Sequence, residues 1–290
     1  MQQVFFFDDE GRSLEIPNIL EIAGLGTPPV RLRTSQGYRQ HGATLHVAAY
    51  EPRAFTIAFD ATGRTWGEAA AVRDAIASFF GRLTPKTMLY KRGSFELCLG
   101  DIWLANPYDT TAREVQVLSG KLQLIAMNPF FYKPIQPSAV ALETPMLEYI
   151  DEDGGIEFDY TDGTGGLIYS TMEQSITVTN NGPCPETPAI IRFYAPADHP
   201  WVQNTTTGQT IKITKELEPG EVLVIDSRAQ TVRIIDASGI EHEAFTHISE
   251  DPDEFDFITL NPGQNVFEFG SEGVDIGFIE VGGYEYYTHI

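Results

Sequence analysis

The chain has 290 residues, of which 42% are hydrophobic, so it can bury a substantial core, and its length predicts two domains. Its 19 basic and 41 acidic side chains give a formal net charge of −22, which argues against a surface that grips nucleic-acid phosphates. The sequence contains no apolar run of about 18 residues, and its first residues lack the pattern of a signal peptide. We therefore expect synthesis in the cytoplasm and no membrane insertion.

The charge is distributed unevenly along the chain. Residues 1–132 contain 13 basic and 13 acidic side chains, whereas residues 133–290 contain 6 basic and 28 acidic ones. The whole net charge of −22 therefore lies in the second part. This asymmetry favours a neutral unit that can pack against copies of itself and an acidic unit kept in solvent, although two ordinary domains with unrelated surfaces explain it equally well.

Alternating apolar residues predict two strands between Thr44 and Asp60. The first covers residues 45–49 and the second residues 55–59. The turn-forming segment Glu51-Pro52-Arg53 lies between them, so the pattern predicts a β-hairpin.

The clearest helix signal begins at Thr65, which has the spacing of a capping box with Glu68. Apolar residues then recur at helical spacing and form one stripe, made by Ala69, Val72, Ile76, Phe79 and Phe80. Gly81 is expected to end the helix in the left-handed conformation. We therefore predict a helix over residues 66–80 that lies on a sheet.

Strand patterns return after Pro85, at residues 88–90, 95–99, 115–118 and 121–127. Three prolines then interrupt the pattern, Pro134, Pro137 and Pro145, so we place a domain boundary near residue 133. The aromatic clusters Phe5-Phe6-Phe7 and Phe130-Phe131-Tyr132 are interpreted as core or subunit-contact side chains rather than as a ligand cage.

The second part begins with turn-forming and acidic residues over 143–166, which predict a long acidic loop. Seven short strand patterns follow, at residues 175–179, 189–194, 210–214, 222–225, 231–235, 266–269 and 276–281. Short strands without an intervening helix pattern predict a β-sandwich or jelly roll. The two cysteines, Cys98 and Cys184, fall in different predicted domains, so we expect reduced, buried thiols rather than a disulfide framework.

The histidine motif near the end of the chain does not have the spacing of a zinc site. His242-Glu243 is followed by His247, five residues after the first histidine, whereas a zincin helix needs its two histidines four apart. The aspartates at positions 151, 153, 159 and 162 offer hard oxygen ligands, but they do not fit the EF-hand register, which leaves weak Ca²⁺ binding as the alternative to a solvated loop. We predict no metal site.

Enzyme chemistry has no motif to support it. The sequence lacks a Gly-x-Ser-x-Gly elbow, a phosphate-binding glycine loop, a dinucleotide-binding glycine pattern and a Cys-x-x-Cys pair. The 41 carboxylates are too many to nominate a glycosidase pair. We therefore predict no catalytic residue and no cofactor, and we interpret Trp201 as packed at the core edge, with stacking on a sugar ring as the alternative.

Read in order, these features resemble the distal tail protein (Dit) family of long-tailed bacteriophages over nearly the whole chain. In the first domain the resemblance rests on residues 52–59, on the helix 66–80 leading into 83–86, and on residues 122–132. In the second it rests on residues 178–182 with Pro188, and on residues 204–211, 217–226 and 260–265. Several of the latter segments contain turn glycines, namely Gly182, Gly208, Gly220 and Gly263.

The resemblance implies a mainly β protein. Residues 1–133 would form a ring-forming, split β-barrel-like domain with one helix, and residues 134–290 a galectin-like β-sandwich. It also implies a structural hub, not an enzyme, at the virion tail tip: a homo-hexameric ring, made in the host cytoplasm, through which DNA passes without specific binding. The tail tube protein, tail-tip proteins and receptor-binding proteins are the implied partners, and a carbohydrate-binding host-recognition module is the alternative function.

Overall fold

Antiparallel β-strands form most of the computed structural model, which describes residues 2–36, 41, 43–106, 109–114, 116–141, 175–251, 254–272 and 276–290. The chain divides into two compact units. The N-terminal unit comprises Met1–Lys133 together with Tyr286–Ile290, and the C-terminal unit comprises Pro134–Glu285. The last five residues therefore belong to the first unit, although the sequence suggested one domain over 134–290. The acidic loop predicted at 143–166 lies outside the described residues.

The N-terminal unit contains the only α-helix of the described residues, α1 (Trp66–Phe80). Its strands are β1 (Gln2–Asp8), β2 (Ser13–Glu15), β3 (Ile19–Ala23), β4 (Val30–Ser35), β5 (Thr44–Tyr50), β6 (Arg53–Thr62), β7 (Lys86–Arg92), β8 (Phe95–Leu104), β9 (Asp109–Glu114), β10 (Val117–Ala126) and the start of β11 (Phe131–Ala141).

One curved sheet path organises this unit. Its strands are hydrogen-bonded in the order β2-β1-β7-β8-β10-β6-β3, and β9 also pairs with β10. The path ends at β2 and β3, so the sheet is not closed, as expected for a split barrel. Helix α1 contributes Ile76, Phe79 and Phe80 to the buried core, where the ring of Phe80 meets that of Phe6 edge to face at 5.0 Å.

The predicted helix is confirmed over residues 66–80, but its ends differ in detail. The Thr65 side chain accepts a hydrogen bond from the Glu68 amide at 3.3 Å, and the Glu68 carboxylate accepts one from the Arg64 amide at 2.7 Å. Gly81 has φ −66°, in the right-handed region rather than the left-handed one that we predicted. Its amide still donates to Ala77 O at 2.8 Å, so the helical hydrogen-bond pattern extends through it.

Two predictions about the strands of this unit were wrong, one on pairing and one on a break within a strand. β5 and β6 exist, but they do not form a hairpin with each other: β5 pairs with β4, and β6 pairs with β10 and β3. Residues 117–126 form one strand, β10, rather than two strands separated near Gly120. Gly120 makes no turn there. A Cβ at this position would lie 2.4 Å from Cζ of Phe59. The glycine accommodates the buried aromatic ring within a continuous strand.

The C-terminal unit is a sandwich of two sheets. One sheet has the order β18-β17-β16-β13-β21 and the other β12-β20-β14-β15. The strands of this unit are β12 (Ser175–Asn180), β13 (Thr187–Ala197), β14 (Trp201–Asn204), β15 (Gln209–Lys212), β16 (Val222–Asp226), β17 (Thr231–Ile235), β18 (Glu241–Glu243), β19 (Thr259–Leu260), β20 (Gly263–Gly270) and most of β21 (Ile276–Tyr287). Alternate residues point inward and form an apolar core that includes Ile191, Phe193, Leu223, Ile225 and Phe267.

The prediction of a mainly β fold is confirmed, and each of the seven strand patterns of the second part overlaps a strand. β14, β18 and β19 were missed because they are two to four residues long. Cys184 is buried, whereas Cys98 is only half-buried, in contrast to the expectation that both thiols are buried. None of the helices in the described ranges is long and apolar enough to cross a membrane.

Candidate interaction surfaces

The β4–β5 hairpin exposes several large apolar side chains of the N-terminal unit. Every residue of both strands is exposed, on both faces of the hairpin. Its large apolar side chains show between 45% and 61% of their surface to solvent, namely Val30, Leu32, Leu45, Val47 and Tyr50. An isolated two-stranded hairpin is at best marginally stable in water, and exposed apolar patches of this kind mark interaction sites.

A buried arginine fixes the chain at the base of this hairpin. Arg53 donates hydrogen bonds to the carbonyl oxygens of Pro129 at 2.8 Å, Gly24 at 3.3 Å and Thr288 at 2.7 Å, and to that of Gly26. Its guanidinium lies 4.7 Å from the ring centroid of Phe131. Burial lowers the pKa of Arg53 to about 10, so the side chain remains charged at neutral pH.

A groove of about 840 Å³ lies where the sheet path of the N-terminal unit is split. Both end strands and the helix line it, through Leu14 of β2, Ile19 and Leu20 of β3, and Val72 and Ile76 of α1. Leu20 exposes 54% of its surface, and Glu15 also lines the groove. Among the described strands, β2 pairs only with β1 and β3 only with β6, so both end strands have a free edge.

The outer face of the five-stranded sheet in the C-terminal unit has an aromatic and aliphatic row. Cross-strand neighbours in this row are Phe278, Tyr194, Val222 and Ile235. The rings of Tyr194 and Phe278 stack with centroids 3.9 Å apart. The Tyr194 hydroxyl donates to Glu280 at 3.1 Å, and burial, reinforced by the Glu280 charge, raises the pKa of Tyr194.

Trp201 is the first residue of β14. It is half-buried, and its indole packs against the backbone of Gly270, where a Cβ would lie 2.9 Å from Nε1 of the ring. This placement agrees with packing at the core edge. A free aromatic platform for a sugar ring would need a more exposed indole than this one.

The histidine motif does not assemble into a ligand set. Nε2 of His242 lies 2.9 Å from Oδ2 of Asp236, Glu243 accepts a hydrogen bond from the Phe245 amide at 3.2 Å, and His247 belongs to a short 3-10 helix. The bond from His242 lowers the pKa of Asp236. No cluster of three or more His, Cys, Asp or Glu side chains that could hold a metal occurs among the described residues. The predicted Asp151 to Asp162 set falls outside them.

The two aromatic clusters divide between core and surface. Phe6 and Phe131 are fully buried, whereas Phe7 is 37% exposed. Phe130 stacks on Tyr286 at 5.3 Å and meets Tyr50, at the base of the β4–β5 hairpin, edge to face at 5.2 Å. Strand β4, the buried role of Arg53 and the groove were not predicted from the sequence. Alternation at Val30-Arg31-Leu32-Arg33 was the signal available for the first of these.

Comparisons with known proteins agree with this architecture. Residues 181–281 match the family model of the siphovirus-type tail component, C-terminal domain. The crystal structure of the Dit (gp 19.1) protein of phage SPP1, described as a paradigm of the hub adsorption apparatus in phages that infect Gram-positive bacteria, superposes with a TM-score of 0.65 at 11% identity and covers 98% of this chain and 99% of its own. The phage P2 baseplate in its Ca-activated conformation contains a chain with a TM-score of 0.57 at 10% identity, with both chains fully covered. No curated protein sequence matches the chain.

The matched residues lie within the sandwich of the C-terminal unit, which is therefore similar to the C-terminal domain of siphovirus-type tail components. The match of residues 181–281 and the similarity of the full-length fold to that of the SPP1 Dit protein confirm the resemblance to the Dit family found in the sequence.

Proposed function

We propose that this protein is the structural hub at the distal end of a siphovirus-type tail, where a ring of its copies connects the tail tube to the tail tip or baseplate. The observation that carries this function is the structural match of 98% of the chain to a protein described as a paradigm of a hub adsorption apparatus. The family match of the C-terminal unit supports the same assignment through sequence. The protein acts by assembly and not by catalysis.

Six copies form the ring in this proposal. The N-terminal part is suited to close packing, because residues 1–132 have no net charge. Residues 133–290 have a net charge of −22, so these parts of different copies repel one another unless they are kept apart by more than a Debye length, about 8 Å at physiological salt. Tail tube protein on one side and tail-tip and receptor-binding proteins on the other are the partners.

DNA passes through the ring without being held. A chain with a net charge of −22 lacks the excess of cations that phosphate binding requires. The purified protein is therefore expected to leave the electrophoretic mobility of duplex DNA unchanged at physiological salt. A shifted band that disappears as salt is raised would contradict passage without binding.

The mass of the purified full-length chain in solution tests the ring. Light scattering at low and at physiological salt, with negative-stain images of the same sample, is expected to give about 193 kDa, six times the chain mass of 32.2 kDa, and six-fold rings. A strict monomer at every salt and protein concentration would overturn a ring that forms from this chain alone.

A further inference from the structure

The β4–β5 hairpin exposes apolar side chains on both of its faces. Val30, Leu32 and Tyr50 share one face with Ala48, and Val47 lies on the other with Ala49, so each face exposes apolar surface. Covering side chains of this size stabilises a contact by roughly 25 cal/mol per Å² of apolar area. A partner that encloses the hairpin, rather than one that touches a single side, matches this distribution.

The groove in the N-terminal unit has the complementary form. It is lined mainly by apolar side chains, and it is bounded by β2 and β3, which end the sheet path and, among the described strands, have no neighbour on their outer edges. Free strand edges accept further strands, and proteins normally cover them. A two-stranded element with apolar faces fits a split that has two free edges and an apolar lining.

The charges of the two surfaces are also complementary. Residues 27–50, which contain the hairpin, have three arginines and no acidic residue. Residues 1–26, which contain β1 to β3, have one arginine against five carboxylates, a net charge of −4. Within the described part of the chain, Arg31 and Arg33 have no acidic partner, and Glu15 and Glu21 have no cationic one. Opposite potentials of this kind set the register of an interface.

The base of the hairpin is rigid. Arg53 holds the carbonyls of Gly24 and Gly26, and the Glu51 amide donates to Pro29 O at 2.8 Å. Gly24 has φ +92°, and a Cβ there would lie 2.5 Å from Ala54 O, so the backbone approach is specific to glycine. The chain that leads into the hairpin is therefore fixed by hydrogen bonds on both sides of the hairpin.

We propose that the β4–β5 hairpin of one copy docks into the β2–β3–α1 groove of the next copy. This contact rests on the proposed hub function and specifies how its ring closes. Hairpin and groove are different surfaces of one unit, so the contact is head to tail, and its repetition closes a ring when the rotation between copies is suitable.

Point variants of the full-length chain test the two surfaces separately. Leu32→Glu with Val47→Glu in the hairpin, and Leu20→Glu in the groove, are each expected to weaken self-association at least about tenfold, measured by light scattering over a protein dilution series. The matched control is Leu83→Glu, because Leu83 is 86% exposed and lies outside both surfaces. All four positions are exposed, and circular dichroism melting confirms that each variant is folded.

Charge reversal supplies a rescue. Arg31→Glu with Arg33→Glu is expected to weaken the ring, and adding Glu15→Arg with Glu21→Arg to the same chain is expected to restore it. Rings that form as well in the hairpin and groove variants as in the wild type would overturn this contact while leaving the hub function intact. Loss of self-association without rescue by the second pair would overturn the assigned groove. A wild-type chain that stays monomeric would overturn the contact together with the self-assembled ring.

Discussion

Nη2 of Arg53 donates a hydrogen bond at 2.7 Å to the carbonyl oxygen of Thr288, a residue 235 positions further along the chain. The same guanidinium holds the carbonyls of Pro129, Gly24 and Gly26. One side chain therefore joins the approach to the β4–β5 hairpin, the approach to β11 and the end of the chain. The C-terminal residues return to the N-terminal unit partly because this buried cation needs oxygen acceptors.

Replacing Arg53 should destabilise the N-terminal unit. Arg53→Met keeps much of the side-chain volume but leaves four backbone carbonyls without their charged donor. We expect the free energy of unfolding to fall by roughly 4 kcal/mol, since hydrogen bonds to charged groups contribute about 1.5–3 kcal/mol each and part of the loss is recovered by relaxation. Urea unfolding followed by circular dichroism measures the change.

The control for this change is Arg73→Met. Arg73 lies on the exposed side of α1, and its ion pair is with the neighbouring Asp74 at 2.7 Å. An exposed pair of this kind contributes about 0–1 kcal/mol. Equal losses for the two variants would show that the Arg53 hydrogen bonds do not stabilise the unit.

Deleting residues 286–290 should weaken the same unit from the other end of the chain. The deletion removes the acceptor of Arg53 at Thr288, the ring of Tyr286 that stacks on Phe130, and the packing of Tyr287 and Ile290 against the core. We expect a loss of roughly 3 kcal/mol in the free energy of unfolding, from buried apolar area alone. His289→Ala is the control, because that side chain is exposed; a deletion no more costly than this substitution would contradict the prediction.

The sequence predicted strands better than it predicted their partners. Period-two alternation indicates strands at β5 and β6, but pairing depends on which face of each strand is buried. β5 has no buried face, whereas alternate residues of β6 lie in the core. The short distance between them favoured a hairpin on local grounds alone. The break assigned near Gly120 failed for a related reason, because the contact that requires this glycine is with Phe59 on another strand.

The interaction surfaces were harder to predict than the fold. The groove is formed by β2 and β3, which are close in the chain, and by α1, which follows much later and meets them only in the folded unit. Apolar residues in a strand pattern indicate burial, so Leu32 and Val47 would be assigned to the core of a single chain. The structure shows that both side chains are exposed. A hairpin that binds a second copy therefore has the same sequence pattern as a core strand.

A matched pair of glycine substitutions should change stability in opposite directions. Gly120→Ala places a Cβ 2.4 Å from Cζ and 2.8 Å from Cε1 of Phe59, a fully buried ring, so we expect a loss of about 1–3 kcal/mol from overpacking. Gly67→Ala lies in the first turn of α1, where the nearest atom is 3.8 Å away, and should stabilise by about 0.5 kcal/mol through the entropy of the unfolded chain. Thermal melts of both variants measure the signs, and a Gly120→Ala protein as stable as the wild type would contradict the close contact.

Acid should remove the contribution of Glu221 to the folding stability of the C-terminal unit. Its carboxylate accepts hydrogen bonds from Lys215 Nζ at 2.9 Å and from the Glu218 amide at 3.0 Å. Burial raises the pKa of Glu221, but these bonds and the Lys215 charge outweigh burial and hold the pKa below 4.5. Because the folded-state pKa lies below the unfolded value, the stabilisation is complete above pH 4.5 and is lost as the pH falls through the folded pKa.

Glu221→Gln should therefore lower the melting temperature at pH 7 by about 3 °C, and the difference from the wild type should shrink as the pH falls from 4.5 to 3. Melting followed by circular dichroism at both ends of this range makes the comparison. Glu216→Gln is the control, since Glu216 is exposed and should give little difference at either pH. A difference between Glu221→Gln and the wild type that stays constant, or grows, as the pH falls would show that the Glu221 charge does not stabilise the folded unit.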